Sequence, residues 1–404
     1  DPDREKEDAI TINVEHIQAT DAFEAGVFAS YHIYSYYPEF IIYENKDYVD
    51  ASGNVNPYRA YLEQLIAHHT MPVLVAEYGI PTSRGITHNN PITGYNQGHV
   101  DETSQGEMLV SMSKDIYETG YCGSLIFTWQ DEWFKRTWNT MDYTDSNRRA
   151  YWSDMQTSEQ NFGLLTFDPG KKETCVALDG DNSEWTSSDI VAQNDNYTLS
   201  VRHDARYLYL MVQGDNLNPQ NDRIIIPVDV TPKSGALQYE SCTFSRGTDF
   251  VIDLQEKNNS VIKVQGYYDR YPVSYTAEMD TTFNHSDYGG ASDSDFHPVY
   301  LCLNKQLLFP VTKEWIDYQR FETGLLQYGN GDPESDDYNS LSDFCYGEHC
   351  IELRIPWGLL NFRDPSSREV EDDFHTTGEF TGLNIDEIYL GIGSYGQSQT
   401  MNPY

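Results

Sequence analysis

Three short apolar runs constrain the first part of this chain more than any other feature: Gly26-Val-Phe-Ala-Ser-Tyr-His-Ile-Tyr34, Met71-Pro-Val-Leu-Val-Ala-Glu-Tyr78 and Gly123-Ser-Leu-Ile-Phe-Thr-Trp-Gln130. Each is nearly continuous in apolar residues rather than alternating, the pattern of a strand covered on both faces. Helical spacing separates them. Asn56-Pro57 supplies an N-cap with proline at the first helical position, and Tyr61, Leu62, Leu65 and Ile66 make one stripe. Met108, Leu109, Met112 and Ile116 make a second, stopped at Gly120. Covered strands alternating with helices imply parallel pairing through right-handed crossovers. Residues 9–14, just before Glu15, read as one more strand of the same sheet.

Polar groups collect where these runs end. Glu77 closes the second, ahead of Gly79 and Pro81; His32 and Tyr34 close the first, and Trp129 the third. A carboxylate at the C-terminal tip of a buried parallel strand stands where such sheets carry their chemistry, so Glu77 is the leading catalytic candidate. The bland alternative is a surface residue at a strand end. The long loop 81–106 carries Arg84, His88 and His99, and a loop of that length at the active face shapes a cleft. Arg84, Asp131 and Glu132 are the cleft candidates, with solvated loop charges as the alternative, while Lys135 and Arg136 read as surface charges.

In this order, His32-Ile-Tyr34, the apolar-Glu77-aromatic-Gly setting and Trp129 resemble the last four strands of a retaining glycoside hydrolase barrel of the clan that includes cellulases, β-galactosidases and β-mannanases. The resemblance covers about residues 9–168. It implies the C-terminal half of a (β/α)8 TIM barrel, about strands five to eight, with Glu77 as nucleophile and Tyr34 donating a hydrogen bond to it. His32 would contact sugar hydroxyls or orient a neighbouring carboxyl, and Trp129 would floor a sugar subsite. Such enzymes need a second carboxyl about 5 Å from the nucleophile to protonate the leaving oxygen. The clan places it after an asparagine at the end of strand four, and no such pair stands upstream here; Glu15 is a remote substitute. The resemblance therefore implies that the acid/base and the first half of the barrel come from the same precursor or from a partner chain. No hydrolytic turnover is expected from this chain alone.

After Phe167-Asp-Pro-Gly170 the texture changes to short β-branched and aromatic runs with turn signals, dividing the chain into 1–168 and 169–404. Runs at 196–201, 207–212, 224–229, 250–254, 351–355 and 388–392 predict an antiparallel β-sandwich. Leu178-Asp-Gly-Asp-Asn-Ser-Glu-Trp185, Val201-Arg-His-Asp-Ala-Arg-Tyr-Leu-Tyr209 and Ile355-Pro-Trp-Gly-Leu-Leu360 are similar in order to family 9 carbohydrate-binding modules and the related DOMON superfamily. That resemblance makes Trp185 and Trp357 secondary sugar-binding candidates, against a role in building the core. The fold class is thus α/β plus all-β.

Composition bounds partners more than reaction. The 64 acidic against 26 basic residues give a formal charge of -38, which disfavours nucleic acid and anionic membranes. No apolar run is long enough to span a bilayer. Acidic charge spread along the chain suits an extracellular or cell-surface setting, and Asn196, Asn258 and Asn284 begin glycosylation sequons, which matter only in a eukaryotic host. Among the six cysteines, Cys345 and Cys350 are close enough to pair, though no connectivity is assigned, and Cys122 is expected to be buried. No cofactor is expected. Asp179, Asp181, Asn182 and Glu184 are compatible with a structural calcium or, more simply, a capped turn. Two functions remain open: a secreted retaining glycosidase acting on an oligosaccharide or polysaccharide, and a non-catalytic carbohydrate-binding or surface-structural protein on a decayed barrel scaffold.

Overall fold

The computed structural model describes residues 14–145, 147, 152–167, 176–275, 288–309 and 312–404. The three apolar runs form β1 (Ala29–His32), β2 (Val73–Tyr78) and β3 (Gly123–Ile126), paired in that order in one parallel sheet. Helix α1 (Pro57–His68) starts where Asn56 accepts the backbone N–H of Arg59, with Pro57 in its first turn. Helix α2 (Glu102–Thr119) starts at Asp101, which accepts from Ser104 N–H. It stops at Gly120, whose φ of 94° lies in the left-handed region that a C-cap glycine occupies without strain. Tyr58 and Leu62 from α1 and Leu109, Met112 and Ile116 from α2 bury one face of the sheet through Val73, Val75 and Ala29. The predicted helical stripes therefore cover the strands they separate.

No closed barrel forms among the described residues. The parallel sheet has three strands, and residues 9–13 of the expected additional strand lie outside the described residues, while Val14 opens a 3-10 turn, Val14–His16. The outer strand β3 shows the consequence. Its neighbouring residues Leu125 and Ile126 point to opposite faces of the sheet, and both are exposed, at 57 % and 42 %.

The later part of the chain is antiparallel. One five-stranded sheet runs Phe344–Tyr346, Cys350–Pro356, Tyr207–Gln213, Thr198–His203, Ile190–Gln193. A seven-stranded sheet is built on Phe296–Pro298, Val261–Gln265, Phe250–Leu254, Ile224–Asp229, Tyr389–Leu390 and Asn402–Pro403, with Gly393–Ser394 also paired to Ile224–Asp229. Alternate residues of the two, such as Leu208, Leu210 and Val212 against Ile224, Ile226 and Val228, share one apolar core. The predicted strands at 196–201, 207–212, 224–229, 250–254 and 351–355 all fall in these sheets.

The other face of the five-stranded sheet is sealed by Tyr207, Tyr209, Met211, Trp185 and Met155. Buried there, Glu352 accepts from Trp185 Nε1 at 2.8 Å and from the backbone N–H groups of Gly180 and Asp179. The 179–184 turn wraps this carboxylate and is capped internally, with Asp179 accepting from Asp181 N–H and Asp181 from Ser183 N–H. No group of three or more His, Cys, Asp or Glu side chains among the described residues has a metal-binding arrangement. Cys345 and Cys350 are buried free thiols, and Cys122 is exposed, contrary to expectation, because it lies at the mouth of the short strand β3 rather than beneath a neighbouring strand. No helix among the described residues is long and apolar enough to cross a membrane.

Burial pushes Glu352 up to about 7 from its ordinary 4.5. The folded state therefore binds a proton that the unfolded chain releases, and the resulting stabilisation is complete below pH 4.5 and lost as pH rises to about 7. Between pH 7.5 and 4.5 the native chain should gain about 3 kcal/mol relative to Glu352→Gln, measured by urea unfolding of both at each pH. Parallel pH profiles for the two proteins would remove this assignment.

Candidate functional site

Strands β1 and β2 are in register so that His32 pairs with Glu77 across the sheet, at the C-terminal end of both. That register brings three side chains together. Tyr34 donates its hydroxyl hydrogen to Glu77 Oε2 at 3.0 Å, and His32 Nδ1 lies 3.1 Å from the same oxygen. Tyr34 packs against Tyr36 and Phe162 with ring centroids 5.4 and 6.1 Å away. Burial, and then the negative charge of Glu77, raise the Tyr34 phenol well above its usual range, so it remains a donor. A donor fixed in this way orients the carboxylate and leaves its second oxygen free.

Two further carboxylates act on the same phenol: Glu132, after β3, and Glu159, in the turn Ser158–Gln160. Lys135 Nζ lies 3.5 Å from Glu132 and 3.8 Å from Glu159, and over the Phe127 ring at 4.8 Å. Gln97 Nε2 donates to Glu159 Oε1 at 2.7 Å. Burial raises Glu159 above the usual carboxylate range, opposed by Lys135 and Gln97 and reinforced by the charges of Glu132 and Glu77. Lys135, read from sequence as a surface charge, is therefore part of this cluster, as are Glu159 and Gln97, which the sequence did not mark. Beyond Tyr36 the polar chain continues to His88, which contacts Glu39 at 3.2 Å and Trp138 Nε1 at 3.3 Å.

The other predicted residues separate into near and far. Trp129 lies in the segment that follows β3, joined to the tip of β2 by the Phe127 N–H to Tyr78 carbonyl bond. Its indole is 68 % exposed and packs on no other ring among the described residues. Asp131 is buried and serves the backbone, accepting from Gly163 N–H and Thr166 Oγ1. A Cβ on Gly163 would meet Asp131 N at 2.3 Å, so this contact requires glycine. Asp131 is thus a structural cap and not a cleft residue.

Arg84 is also corrected. It is buried against the antiparallel part, with Nε and Nη2 bonding both oxygens of Asp343 at 2.6 and 2.9 Å, and with further bonds to Thr323, Leu325 and Gln156. Its donors are engaged in joining the two parts of the molecule. Trp185 is buried with its N–H on Glu352, and Trp357 is buried with its N–H on the Asp204 carbonyl, so both rings take part in the core. Trp357 borders a cavity of about 700 Å³ next to His203 and Tyr404. Glu15 is bonded to His69 and Thr70 before the start of β2, at the opposite end of the sheet from Glu77. The hydrogen bond from Thr70 is the main reason it titrates low, at about 2, so it holds no proton to donate at neutral pH. It is not a displaced acid.

Comparison of the chain with protein-family models, with curated proteins and with solved structures returned no match.

Removing one partner of a buried, fully bonded ion pair leaves the other charge desolvated. Asp343→Ala should therefore destabilise the protein by about 3–5 kcal/mol in denaturant unfolding. A change under 1 kcal/mol would mean that Arg84 finds solvent and does not hold the two parts together.

Proposed function

We propose that the Glu77 face is the nucleophile side of a retaining glycoside hydrolase site. The observation that carries this reading is the convergence of the Tyr34 hydroxyl and the His32 ring on one oxygen of Glu77 at the C-terminal ends of parallel strands. The other oxygen is then free to attack an anomeric carbon. In that step the C–O bond to the aglycone breaks with its electron pair leaving on oxygen, a general acid supplies the proton, and water later hydrolyses the glycosyl ester. His32 and the Glu132 edge contact sugar hydroxyls, and the exposed Trp129 offers an apolar face to the ring.

On this reading the parallel sheet is the last part of a TIM barrel, completed by the first half from the same precursor or a partner chain, which also brings the acid/base. The exposed Leu125 and Ile126 on the outer strand support such a neighbour. The antiparallel part acts as a carbohydrate-binding-module-like sandwich, and the acidic chain works outside the cell or on its surface on an oligosaccharide or polysaccharide. One observation favours the non-catalytic alternative: two cavities, of about 700 and 600 Å³, lie on the antiparallel part.

A dinitrophenolate leaves without protonation, so 2,4-dinitrophenyl β-glycosides test the nucleophile in the absence of the acid. With the glucoside, galactoside and mannoside, one sugar should give a phenolate burst stoichiometric with the 404-residue chain. Glu77→Gln should abolish it, and Tyr34→Phe should slow it by about 10- to 100-fold. A burst retained in Glu77→Gln, or none with all three sugars, overturns the reading.

A further inference from the structure

The site gathers more negative charge than a nucleophile requires. Glu77, Glu132 and Glu159 come from three separate stretches of chain: Glu132 and Glu159 share Lys135, whose Nζ lies over the Phe127 ring, and Phe127 N–H bonds the carbonyl of Tyr78 beside Glu77, while Gln97 donates to Glu159 and His32 Nδ1 lies 3.1 Å from Glu77. All three carboxylates are only partly exposed. Like charges brought together in partly dry surroundings repel, and the repulsion opposes folding.

The backbone that carries Glu159 is held by groups other than its carboxylate. The Ser158–Gln160 turn is fixed by other groups: Glu159 N–H donates to Thr137 Oγ1, Ser158 Oγ donates to the Gln97 carbonyl and accepts from Ser83 and Thr87, and Asn161 Nδ2 donates to the Thr157 carbonyl. Glu132 likewise joins the scaffold through its backbone N–H on the Gln160 carbonyl, while its side chain turns to Lys135. Carboxylates gathered at a strand tip on backbone that other groups hold are placed as groups kept for a ligand are.

Resting on the Glu77 reading, we propose that Glu159 and Glu132 are specificity-determining residues of that site, and that the sugar it accepts is uncharged or basic, never a uronate or a sulfate ester. The carboxylates and Gln97 accept from and donate to ring hydroxyls. A carboxylate or sulfate on the sugar would enter a field of three like charges that Lys135 offsets in part, which disfavours it by about a hundredfold or more. A protonated ring nitrogen would meet the same field as an attraction.

The test has two arms on the 404-residue chain. In the first, Glu159→Gln and Glu132→Gln are melted beside the wild type; relief of repulsion should raise the melting temperature by about 1–3 °C. A fall of that size in both would make these residues scaffold and overturn the proposal. In the second, calorimetry at pH 6.5 compares 1-deoxynojirimycin and its manno and galacto isomers with glucuronic and galacturonic acids. One basic iminosugar should bind, at least tenfold more weakly in Glu159→Gln, and neither uronic acid should. If Glu77→Gln loses that binding and Glu159→Gln does not, this proposal fails and the nucleophile reading stands. If Glu159→Gln loses it and Glu77→Gln does not, the anionic subsite stands and the nucleophile reading fails. Binding of a uronic acid as tight as any iminosugar, or no binding by any of the five, overturns the proposal.

Discussion

The hydrogen bond from Tyr34 to Glu77 depends on a register, and the rest of the site depends on that bond. His32 sits opposite Glu77 because β1 and β2 pair in parallel with a shift after Tyr31, and the backbone continues through the Ile33 N–H to Glu77 carbonyl bond. Tyr34 then lies two residues beyond the end of β1, with its ring between Tyr36 and Phe162 and its hydroxyl aimed back at the strand tip. Slipping the pairing by one residue would turn Glu77 to the opposite face and leave the phenol without its acceptor. The helices α1 and α2 hold the register indirectly, since their apolar faces cover Val73 and Val75 and so fix which side of β2 is inside.

The site is not built by the parallel sheet alone. Glu159 and the turn that carries it belong to the stretch that leads into the antiparallel part, and the same stretch supplies Gln156 to Thr323 and Trp152 to the larger core. Arg84 and Asp343 tie the long loop after β2 to that part as well. The two halves of the molecule therefore position each other: packing the sheets against one another sets the turn that brings Glu159 up to Lys135 and Gln97. In this arrangement the antiparallel part contributes to the Glu77 face through geometry, even though its own buried tryptophans serve its core.

Much of this organisation was legible in the sequence because it rests on short-range pattern. Continuous apolar runs gave the parallel strands, the Asn56-Pro57 and Gly120 signals gave helix ends, and short β-branched and aromatic runs between turn signals gave the antiparallel sheets. Glu77, His32 and Tyr34 were visible because strand tips are locally marked. What escaped were contacts made across long separations. Arg84 reaches Asp343 over 259 residues, and Glu159 meets Gln97 over 62. Nothing in the local composition of either distinguishes a buried joint or a clustered carboxylate from an ordinary loop charge. Asp131 escaped for a related reason: its partner Gly163 matters through the absence of a side chain, which no periodicity records.

The most direct measurement is covalent trapping at the strand tip. The 404-residue chain is exposed to 2,4-dinitrophenyl 2-deoxy-2-fluoro-β-glycosides of the gluco, galacto and manno series, whose fluorine slows the second step so that the glycosyl ester accumulates, and the modified peptide is then sequenced by mass spectrometry. The account predicts one fluoroglycosyl group per chain, esterified to Glu77. An adduct on Glu132, Glu159 or another residue, or no adduct from any of the three sugars, would contradict it.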